Sequence, residues 1–368
     1  MFGHKRVPSR EGGIEVVVEE LSKRMVQMGH QVTCYNRMGH HVCGETYDSQ
    51  VSNQTYQGIR ICTVPTFDKK GLAAVTASIT AAIKASIDDS EIVHIHAEGP
   101  SFMCWLPKLF GKKVVVTIHG LDHQRAKWGI FASAYIMMGE KNAVWFADNI
   151  IVLSKNVQNY FWQKYSRETV LIPNGVLRHK SSKAREIYEK YALLKDEYVL
   201  YLGRLVPEKG IEYLVNAFKT VKTQKKLVIA GGSSDTYEFE NKLHALADGD
   251  ERILFTGFVQ GKILSELYSN AYFYVLPSDL EGMPLSLLEA MSYGNCCLTS
   301  DIPECKDVIE DVGYQFHRGD VCDLANKLQR LCDDKMAVLS VKKKAQDYIC
   351  EKYNWDDVVK QTIAVYQK

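Results

Sequence analysis

Two cations flank the predicted start of a helix in the segment GRLVPEKGIEYL, which begins at Gly203. Arg204 follows this glycine, and Lys209 lies five residues further along, close to where the helical pattern begins. Cations are disfavoured at the positive end of a helix dipole unless an anion lies between them. The spacing therefore predicts an anion site, and two cations beside a glycine turn suit a diphosphate.

A second segment, EGMPLSLLEAMSYG, also has residue types that could bind a ligand. It begins at Glu281 and carries another carboxylate at Glu289. Pro284 suits the first position of a helix and Gly294 suits its end, so we predict a helix that begins near Met283. The free backbone N–H groups at the start of this helix would form a phosphate-binding site. A carboxylate on this largely apolar helix needs a partner such as a ligand hydroxyl. The alternative is that Glu289 is an ordinary solvated residue and Glu281 a capping acid.

Apolar, strand-like runs alternate with helical patterns along the whole chain. Ten such runs are found, at residues 31–36, 92–97, 113–119, 149–154, 169–175, 198–204, 226–232, 252–258, 272–278 and 295–300. Continuous Val and Ile runs between helices are typical of parallel strands that are covered on both faces. We therefore predict an α/β protein with two doubly wound, Rossmann-like domains, over residues 1–176 and 177–353.

The ends of four neighbouring strand runs in the second half carry glycines or anion-binding features. Gly203, Gly231 and Gly257 each follow one run, and the fourth run leads into the segment that contains Glu281. Ligands of doubly wound sheets bind beyond the carboxyl ends of the strands. The second domain is therefore predicted to hold the anionic ligand.

Composition limits the class of protein further. The 368 residues are 46% hydrophobic, and 45 basic residues balance 44 acidic ones, which disfavours nucleic acid or another fixed polyanion as a partner. The 10 cysteines are scattered without C-x-x-C spacing, as expected for reduced thiols of a cytosolic protein. No apolar run approaches the roughly 18 residues that span a bilayer, and the N-terminus lacks a signal-peptide layout. We predict a cytoplasmic protein.

These motifs resemble those of the GT-B glycosyltransferases of family GT4, the retaining group 1 enzymes. The second half matches through GRLVPEKG, AGG, FTGFV and the two glutamates of E-x7-E. The first half is similar to the acceptor domain of the same family, through PSREGGIEVVVEELSKRMVQMGHQVTCYNR and VVVTIHGLDHQRAKWG. The resemblance implies a GT-B fold, in which two Rossmann-like domains face a central cleft and the C-terminal helix, residues 354–368, packs back on the first domain.

The resemblance also implies roles for individual residues. Arg204 and Lys209 would grip the diphosphate of a nucleotide-sugar donor, Glu289 would hold its ribose, and Glu281 would contact the transferred sugar. His119 would touch the same sugar, although a histidine at a strand end is often an ordinary packed residue. Further donor contacts would come from Gly12, Gly13, Gly203, Gly231, Phe258, Val259, Gly282, Met283, Pro284 and Leu285. Asp122 and Arg125 are candidate acceptor contacts.

No metal ion and no cofactor are expected at this site. The D-x-D sequence formed by Asp248, Gly249 and Asp250 lies in a polar turn before a strand, so we interpret it as a solvated loop. Positive charge from Arg204, Lys209 and a helix N-terminus would stabilise the departing diphosphate. Without a pair of carboxylates of the kind glycoside hydrolases use, a same-face substitution with retained anomeric configuration fits best.

The acceptor and the place of action are less defined by the sequence. The resemblance implies a glycan or lipid-linked acceptor in bacterial surface-polysaccharide assembly. Residues 99–114 mix aromatic, aliphatic and lysine side chains that could contact the cytoplasmic membrane face, or could form a core helix followed by a basic turn. Alternative functions are a nucleotide-sugar 2-epimerase, or a non-catalytic nucleotide-sugar-binding subunit of a transferase.

The first strand of the first domain is unusually short in the sequence. Only Met1 and Phe2 precede Gly3, whereas a doubly wound domain needs a central strand before its first glycine loop. We therefore predict a truncated first strand, with a native start roughly four to eight residues upstream. Such truncation would leave hydrogen-bonding groups of both neighbouring strands unpaired, at ~1 to 3 kcal/mol for each buried group.

Overall fold

The computed structural model describes residues 1–39, 53–67, 69, 71–124, 129–232 and 237–368. The chain divides into two compact units, Met1–Gly175 together with Trp355–Lys368, and Val176–Asn354. Within the described residues, no helix combines the length and apolar character needed to cross a membrane. The nine cysteines in this part are free thiols, which confirms the expectation of unpaired cysteines.

The first unit contains parallel strands between helices. Its strands are β1 (Thr33–Arg37), β2 (Asn53–Tyr56), β3 (Ile59–Val64), β4 (Ile92–His96), β5 (Lys113–Ile118), β6 (Asn149–Val152) and β7 (Val170–Leu171). Strands β4 to β7 pair in chain order and in parallel, while β1 pairs in parallel with β3, and β3 pairs antiparallel with β2. The Val and Ile side chains of β5 are buried, as expected for a strand covered on both faces.

The helices of the first unit cover these sheets. They are α1 (Gly13–Gln27), α2 (Leu72–Ile87), α3 (Trp105–Leu109), α4 (Ile130–Phe146) and α5 (Lys155–Tyr165), with short 3-10 turns at Pro100–Met103 and Asp122–Gln124. Buried residues of α2 are small, mainly alanine and serine, which lets this helix pack closely on the sheet.

Residues at the start of the chain lie between β1 and β4. The carbonyl oxygen of Met1 accepts from the amide of Tyr35 at 2.9 Å, and that of Phe2 accepts from His96 at 2.9 Å. The amide of Phe2 donates to the carbonyl of His94 at 3.2 Å, and the Phe2 side chain is 1% exposed. Hydrogen bonds are thus made to both neighbours, so the unpaired groups predicted there are paired at these positions.

The second unit has one six-stranded parallel sheet. Its strands are β8 (Tyr198–Leu202), β9 (Lys226–Ala230), β10 (Ile253–Gly257), β11 (Phe273–Leu276), β12 (Cys297–Ser300) and β13 (Tyr314–Phe316). Their order in the sheet is β10-β9-β8-β11-β12-β13. This is the Rossmann order, and it reverses direction between β8 and β11.

Helices cover this second sheet and close its core. They are α6 (Glu186–Tyr191), α7 (Ile211–Thr220), α8 (Tyr237–Ala247), α9 (Gly261–Asn270), α10 (Leu285–Ser292), α11 (Pro303–Ile309), α12 (Val321–Asp333) and α13 (Lys335–Lys352), with a 3-10 turn at Pro207–Lys209. Strand residues of β8, β9 and β11 are almost wholly buried and form the centre of the core.

The structure confirms all ten predicted strands. Each predicted run overlaps one strand. The first run, residues 31–36, overlaps β1, and the last run, residues 295–300, contains β12. Three further strands, β2, β3 and β13, were not predicted.

The last helix, α14 (Trp355–Gln367), belongs to the first unit. Trp355 is 3% exposed and packs against Gly175, where a Cβ atom would lie only 2.5 Å from the indole ring. Near the other end of the helix, the carbonyl oxygen of Tyr366 accepts from Lys113 Nζ at 2.8 Å. The Tyr366 hydroxyl lies 2.6 Å from Nδ1 of the buried His94. Polar and apolar contacts therefore fix α14 on the first unit along its length.

The Tyr366 hydroxyl should contribute measurably to the stability of the first unit. Tyr366→Phe removes the hydrogen bond and leaves a buried histidine nitrogen unpaired, so we expect the free energy of unfolding to fall by about 1 to 2 kcal/mol. Urea denaturation measures this change. The matched control is Tyr188→Phe, because Tyr188 is 54% exposed and its hydroxyl is in contact with solvent. Equal stability of the two variants would show that the contact with His94 adds nothing.

Candidate active site

Two loops of the second unit leave the same sheet edge where the strand order reverses. Strand β8 runs into the loop that carries Arg204 and Lys209, and the neighbouring strand β11 runs into the loop that carries Glu281. Adjacent strands whose connections diverge to opposite sides leave a crevice at their carboxyl ends. The predicted cations and the predicted carboxylate therefore come from the two loops that border this crevice.

Lys209 and Glu281 form a direct ion pair. The distance between Lys209 Nζ and Glu281 Oε1 is 2.5 Å, and Ser278 Oγ donates to the same oxygen at 2.7 Å. The two charged side chains are only 14% and 8% exposed. The sequence predicted both residues in the site but did not predict this contact between them.

Backbone geometry explains how Lys209 reaches this position. It ends the 3-10 turn, and Gly210 follows with φ +64°, a left-handed conformation that favours glycine. A Cβ atom at Gly210 would overlap the carbonyl oxygen of Pro277 at the end of β11. The close approach of the two loops thus requires this glycine and holds the lysine beside Glu281.

Gly203 and Gly231 lie at the ends of the neighbouring strands β8 and β9. Gly231 has φ +146°, and a Cβ atom there would overlap the carbonyl oxygen of Gly203. The amide of Gly203 donates to Ala230 at 3.0 Å, and that of Gly231 donates to Gly257 at 2.9 Å. Gly231 is therefore required by the close backbone packing at this edge, whatever ligand it also contacts.

Arg204 and the two residues predicted to contact a base lie along the same edge. The carbonyl oxygen of Arg204 accepts from the buried Tyr201 hydroxyl at 3.1 Å, and its side chain is half-buried. Phe258 and Val259 follow β10, the strand at one border of the sheet, and are also half-buried. Val259 packs against the core of the unit. The strand order thus places these residues two strands away from the loop of Arg204.

Helix α10 begins two residues later than predicted, at Leu285 instead of Met283. Pro284 is the N-cap, with an extended ψ of 94°, and its carbonyl oxygen accepts from the amides of Leu287 and Leu288. Predicting Pro284 as the first helical residue was therefore wrong, because its backbone is not helical. Gly282, Met283 and Pro284 consequently belong to the loop before the helix, at the helix end that favours an anion. The helix ends at Ser292, and Gly294 follows with φ +80°.

Glu289 lies in α10 and is half-buried. Its Oε2 atom accepts from the hydroxyl of the buried Tyr268 at 3.3 Å. Burial, together with the nearby carboxylate of Glu289, raises the pKa of Tyr268 well above its usual value, so the hydroxyl remains a donor. Glu289 is thus an oriented carboxylate and not a freely solvated surface residue.

The structure adds Asp279 and Glu208 to the residues around these loops. Asp279 follows β11, its carboxylate accepts from Tyr213 at 3.1 Å, and burial raises its pKa. Its amide donates to the carbonyl of Glu208 at 2.9 Å, which joins the two loops again. The position of Asp279 directly after a strand, at the reversal point, was a signal that could have identified it from the sequence.

The predicted residues of the first unit lie at the ends of two of its elements. Gly12 is the N-cap of α1 and Gly13 is its first residue. A Cβ atom at Gly12 would lie 2.4 Å from Oε2 of Glu15, whose other carboxylate oxygen, Oε1, accepts from the amide of Lys5 at 2.7 Å. A side chain at Gly12 would therefore push the Glu15 carboxylate away from its contact with Lys5.

His119 follows β5 and is held by another histidine. Its Nε2 atom lies 3.0 Å from Nδ1 of His96, which is fully buried. Burial lowers the pKa of His96 well below its usual range, so this ring is neutral. His96 was predicted only as part of a strand; it pairs with Thr117 across β4 and β5, two residues before His119.

Of the two candidate acceptor residues, only Asp122 lies in the part of the chain that the structure describes. Asp122 lies in the 3-10 turn after β5 and is half-buried. Arg125 lies outside the described residues.

The D-x-D turn has an internal partner. Asp250 and Arg252 form two hydrogen bonds, at 2.9 Å from Nε and 2.7 Å from Nη2 of the arginine. The Arg252 guanidinium lowers the pKa of the Asp250 carboxyl. The turn precedes β10, at the end of the strand opposite to the candidate site. Asp250 thus serves the structure of the turn.

Residues 99–114 are partly core and partly surface. Trp105 and Leu106 are half-buried, whereas Leu109 is 75% and Phe110 is 56% exposed. Lysines of the segment contact the protein itself, since Lys108 pairs with Asp148, Lys112 donates to the carbonyls of Asp88 and Ser90, and Lys113 donates to Tyr366. The exposed apolar part is therefore limited to the end of α3.

Both halves of the chain match known protein families. Residues 11–177 match the family described as Glycosyltransferase Family 4, and residues 183–362 match the family described as Glycosyl transferases group 1.

Several curated proteins are similar to this chain. An uncharacterized glycosyltransferase of Methanocaldococcus jannaschii is 31% identical over 47% of this chain and 45% of its own length. The O-antigen chain mannosyltransferase B of Escherichia coli is 29% identical over 49% of this chain and 48% of its own length. These alignments span about half of each relative. The N-acetyl-alpha-D-glucosaminyl L-malate synthase of Bacillus anthracis is 22% identical over 96% of this chain and 93% of its own length.

A solved structure shows the same fold over the whole chain. The Anabaena protein HepE, in complex with UDP-glucose, superposes with a TM-score of 0.81 at 15% identity, and covers 100% of this chain and 98% of HepE. The chain therefore belongs to the group 1 glycosyltransferases of family 4 and has the GT-B fold of two Rossmann-like domains.

Proposed function

We propose that this glycosyltransferase moves a hexose from a nucleoside-diphosphate sugar to a glycan or lipid-linked acceptor, with retention of the anomeric configuration. The observation that carries the proposal is the Lys209–Glu281 pair at the reversal point between β8 and β11. One loop thus offers a cation for the diphosphate, and the adjacent loop offers a carboxylate for the hydroxyls of the sugar. The UDP-glucose complex of HepE, a protein of the same fold, supports a nucleotide sugar as donor.

The diphosphate is the leaving group, and its charge decides which residues matter. As the bond between C1 and the phosphate oxygen breaks, negative charge grows on the diphosphate. Lys209, Arg204 and the N-terminal end of α10 supply positive charge, and each preorganised donor can lower the barrier by up to ~3 to 4 kcal/mol. Lys209 is preorganised because Glu281 already fixes its ammonium group.

Retention follows if the acceptor attacks from the face that the phosphate leaves. The acceptor oxygen forms a bond to C1 on that face, the bond from C1 to the phosphate oxygen breaks, and the hydroxyl proton moves to the departing phosphate. We propose that His119, held by the neutral His96, contacts the transferred sugar. Glu289, oriented by Tyr268, would accept hydrogen bonds from the ribose hydroxyls.

We propose that the diphosphate needs no metal ion. The cations of the second unit provide the charge that a divalent ion provides elsewhere. Asp250, the carboxylate of the D-x-D turn, is engaged with Arg252, which supports this proposal.

The experiment that tests the function has two stages. A thermal-shift screen of UDP, GDP, ADP and their sugars should identify the donor, since a ligand at 100 times its Kd stabilises a protein by about 2.7 kcal/mol. The radiolabelled donor is then incubated with a bacterial lipid extract, with and without added Mg²⁺ or Mn²⁺. We expect labelled lipid at equal rates in both. Epimerised donor without transfer would instead identify a 2-epimerase, and binding without turnover would identify a non-catalytic subunit.

A role in surface-polysaccharide assembly at the cytoplasmic face of the membrane is part of the proposal. It rests on the O-antigen mannosyltransferase among the relatives and on the exposed Leu109 and Phe110. Leu109→Glu should reduce the fraction of protein that sediments with phosphatidylglycerol vesicles several-fold, because it removes apolar surface and adds negative charge. Leu194→Glu is the control, since Leu194 is 46% exposed in the second unit. Equal sedimentation of both variants would locate any membrane contact elsewhere.

A further inference from the structure

Three potential metal ligands from separate elements meet inside the first unit. Glu98 follows β4, His123 lies in the 3-10 turn after β5, and Glu140 lies in α4. One nitrogen or oxygen atom from each lies within 4.8 Å of the other two. Both glutamate side chains are 0% exposed, and that of His123 is 13% exposed. Lys164 pairs with Glu140 at 2.9 Å, so Glu98 is the buried carboxylate that needs a further proton or cation.

The distances leave a gap between these atoms. Nδ1 of His123 lies 3.5 Å from Oε1 of Glu98 and 3.5 Å from Oε2 of Glu140. Both distances exceed those of ordinary N–H···O hydrogen bonds. Within the described residues, the buried atoms Nδ1 of His123 and Oε1 of Glu98 have no hydrogen-bond partner, whereas buried polar atoms are normally paired.

The gap has the size of a bound ion. Two ligand atoms that each lie ~2.1 Å from a tetrahedral zinc ion are separated by about 3.4 Å. The remaining atoms of the same side chains are engaged in orienting them. Oε2 of Glu98 accepts from the amide of His123 at 3.3 Å, and Oε1 of Glu140 accepts from Lys164 at 2.9 Å and from Tyr160 at 3.0 Å. Oε2 of Glu140, the atom that lies 3.5 Å from His123, also accepts from Tyr160 at 3.2 Å. These hydrogen bonds fix the orientation of both carboxylates beside His123.

We propose that Glu98, His123 and Glu140 bind one divalent first-row metal ion, with zinc the best match. One nitrogen and two carboxylate oxygens at tetrahedral spacing suit zinc better than magnesium or calcium, which prefer six or more oxygen ligands. A water molecule would take the fourth position, reached past the partly exposed His123. The hydroxyl of Tyr160, 3.5 Å from Nε2 of His123, would support the ring from behind.

The ion would fasten the 3-10 turn after β5 to the end of β4 and to α4. Its three ligands all belong to the first unit, whereas the residues proposed to bind the diphosphate belong to the second. A proton shared between Glu98 and Glu140 is the competing arrangement, but it would leave Nδ1 of His123 unsatisfied.

Metal binding to the full-length protein tests the proposal. After dialysis against a chelator, calorimetric titration with Zn²⁺ should show one ion per chain, and Co²⁺ should give the visible absorption of a tetrahedral site. Glu98→Gln and His123→Gln should each weaken binding by at least ~10-fold. His317→Gln is the control, because His317 forms an exposed histidine–carboxylate pair with Asp301 at 3.2 Å. It should bind Zn²⁺ as the unaltered protein does.

The stability of the protein gives a second readout that does not depend on sugar transfer. Zn²⁺ should raise the melting temperature of the unaltered protein and of His317→Gln, and leave that of Glu98→Gln unchanged. The proposal is overturned if the unaltered protein binds no ion, if Co²⁺ shows no tetrahedral spectrum, or if binding survives in both cluster variants. Should both variants fail to fold, the stoichiometry and the Co²⁺ spectrum of the unaltered protein decide.

Discussion

Replacing Lys209 with alanine should lower kcat/KM for sugar transfer by ~10²-fold or more, because charge that develops on the departing diphosphate loses a preorganised cation. Arg204→Ala should lower kcat/KM by a similar factor, because it also removes a cation from the diphosphate site. The rates are measured with the donor identified by the thermal-shift screen, and the melting temperatures of the variants are measured in parallel. Near-normal turnover in both variants would contradict the assignment of a diphosphate site to this loop.

The control must separate a general loss of positive charge from the loss at this position. Lys242 is suitable, since its side chain is 63% exposed and it pairs with Glu212 on the surface of the same unit. Lys242→Ala removes the same charge from the same unit, and we expect its turnover to stay within about two-fold of normal, as for an exposed ion pair.

The ion pair makes a second explanation testable, namely that Lys209 acts only by holding Glu281. In that case Lys209→Ala combined with Glu281→Gln should transfer sugar as slowly as Glu281→Gln alone. If Lys209 also contacts the diphosphate, the double variant should be slower still, because part of its effect is independent of Glu281. This comparison also allows for the small loss of stability that follows when a carboxylate only 8% exposed loses its cation.

The sequence predicts the strands well because both faces of a parallel sheet are covered. Val- and Ile-rich runs therefore mark β5 and β9 without ambiguity. The hairpin of β2 and β3 lacks this signal, since Gln54 and Thr55 are exposed. The turn of this hairpin has positive φ angles at Gln57 and Gly58, which is the geometry of a tight hairpin. An Asn-Gly sequence at these positions would have indicated the turn more strongly than Gln-Gly does.

Contacts between distant residues are the part of the site that the sequence leaves open. Lys209 and Glu281 are 72 residues apart, and they meet because β8 and β11 are neighbours in the sheet. Motif spacing predicts each loop separately, but the strand order decides which loops touch. The pairing of His96 with His119 depends in the same way on the register of β4 against β5.

The cluster of Glu98, His123 and Glu140 is another contact between distant residues that motif spacing does not predict. Its first and last ligands lie 42 positions apart in the sequence, without the short, regular spacing of a zinc motif carried on one helix or one tight turn. Three separate elements must pack before the buried carboxylates and the imidazole come together. A lone glutamate in the middle of a mainly apolar helix, such as Glu140, is the only local sign of it.

The two glutamates of E-x7-E should separate in their effects on binding and on transfer. Glu289→Gln should weaken the binding of the free nucleoside diphosphate by about 10-fold, since a hydrogen bond to a charged group contributes ~1.5 kcal/mol or more. Glutamine keeps an acceptor for the Tyr268 hydroxyl, so the fold around α10 should be preserved.

Glu281→Gln should have the opposite pattern, because its carboxylate is assigned to the transferred sugar and the free nucleoside diphosphate has none. We expect transfer to fall by ~10²-fold, in line with the loss of one transition-state contact. Binding of the nucleoside diphosphate should stay equal or become slightly tighter, because the ammonium group of Lys209 loses its competing carboxylate. Calorimetry with the free nucleotide gives the first quantity, and the transfer assay gives the second. Glu212→Gln, at a 31% exposed glutamate of the same unit that pairs with Lys242, should change neither. Equal effects of Glu281→Gln and Glu289→Gln on nucleotide binding would show that the sugar and ribose roles are wrongly divided between these two residues.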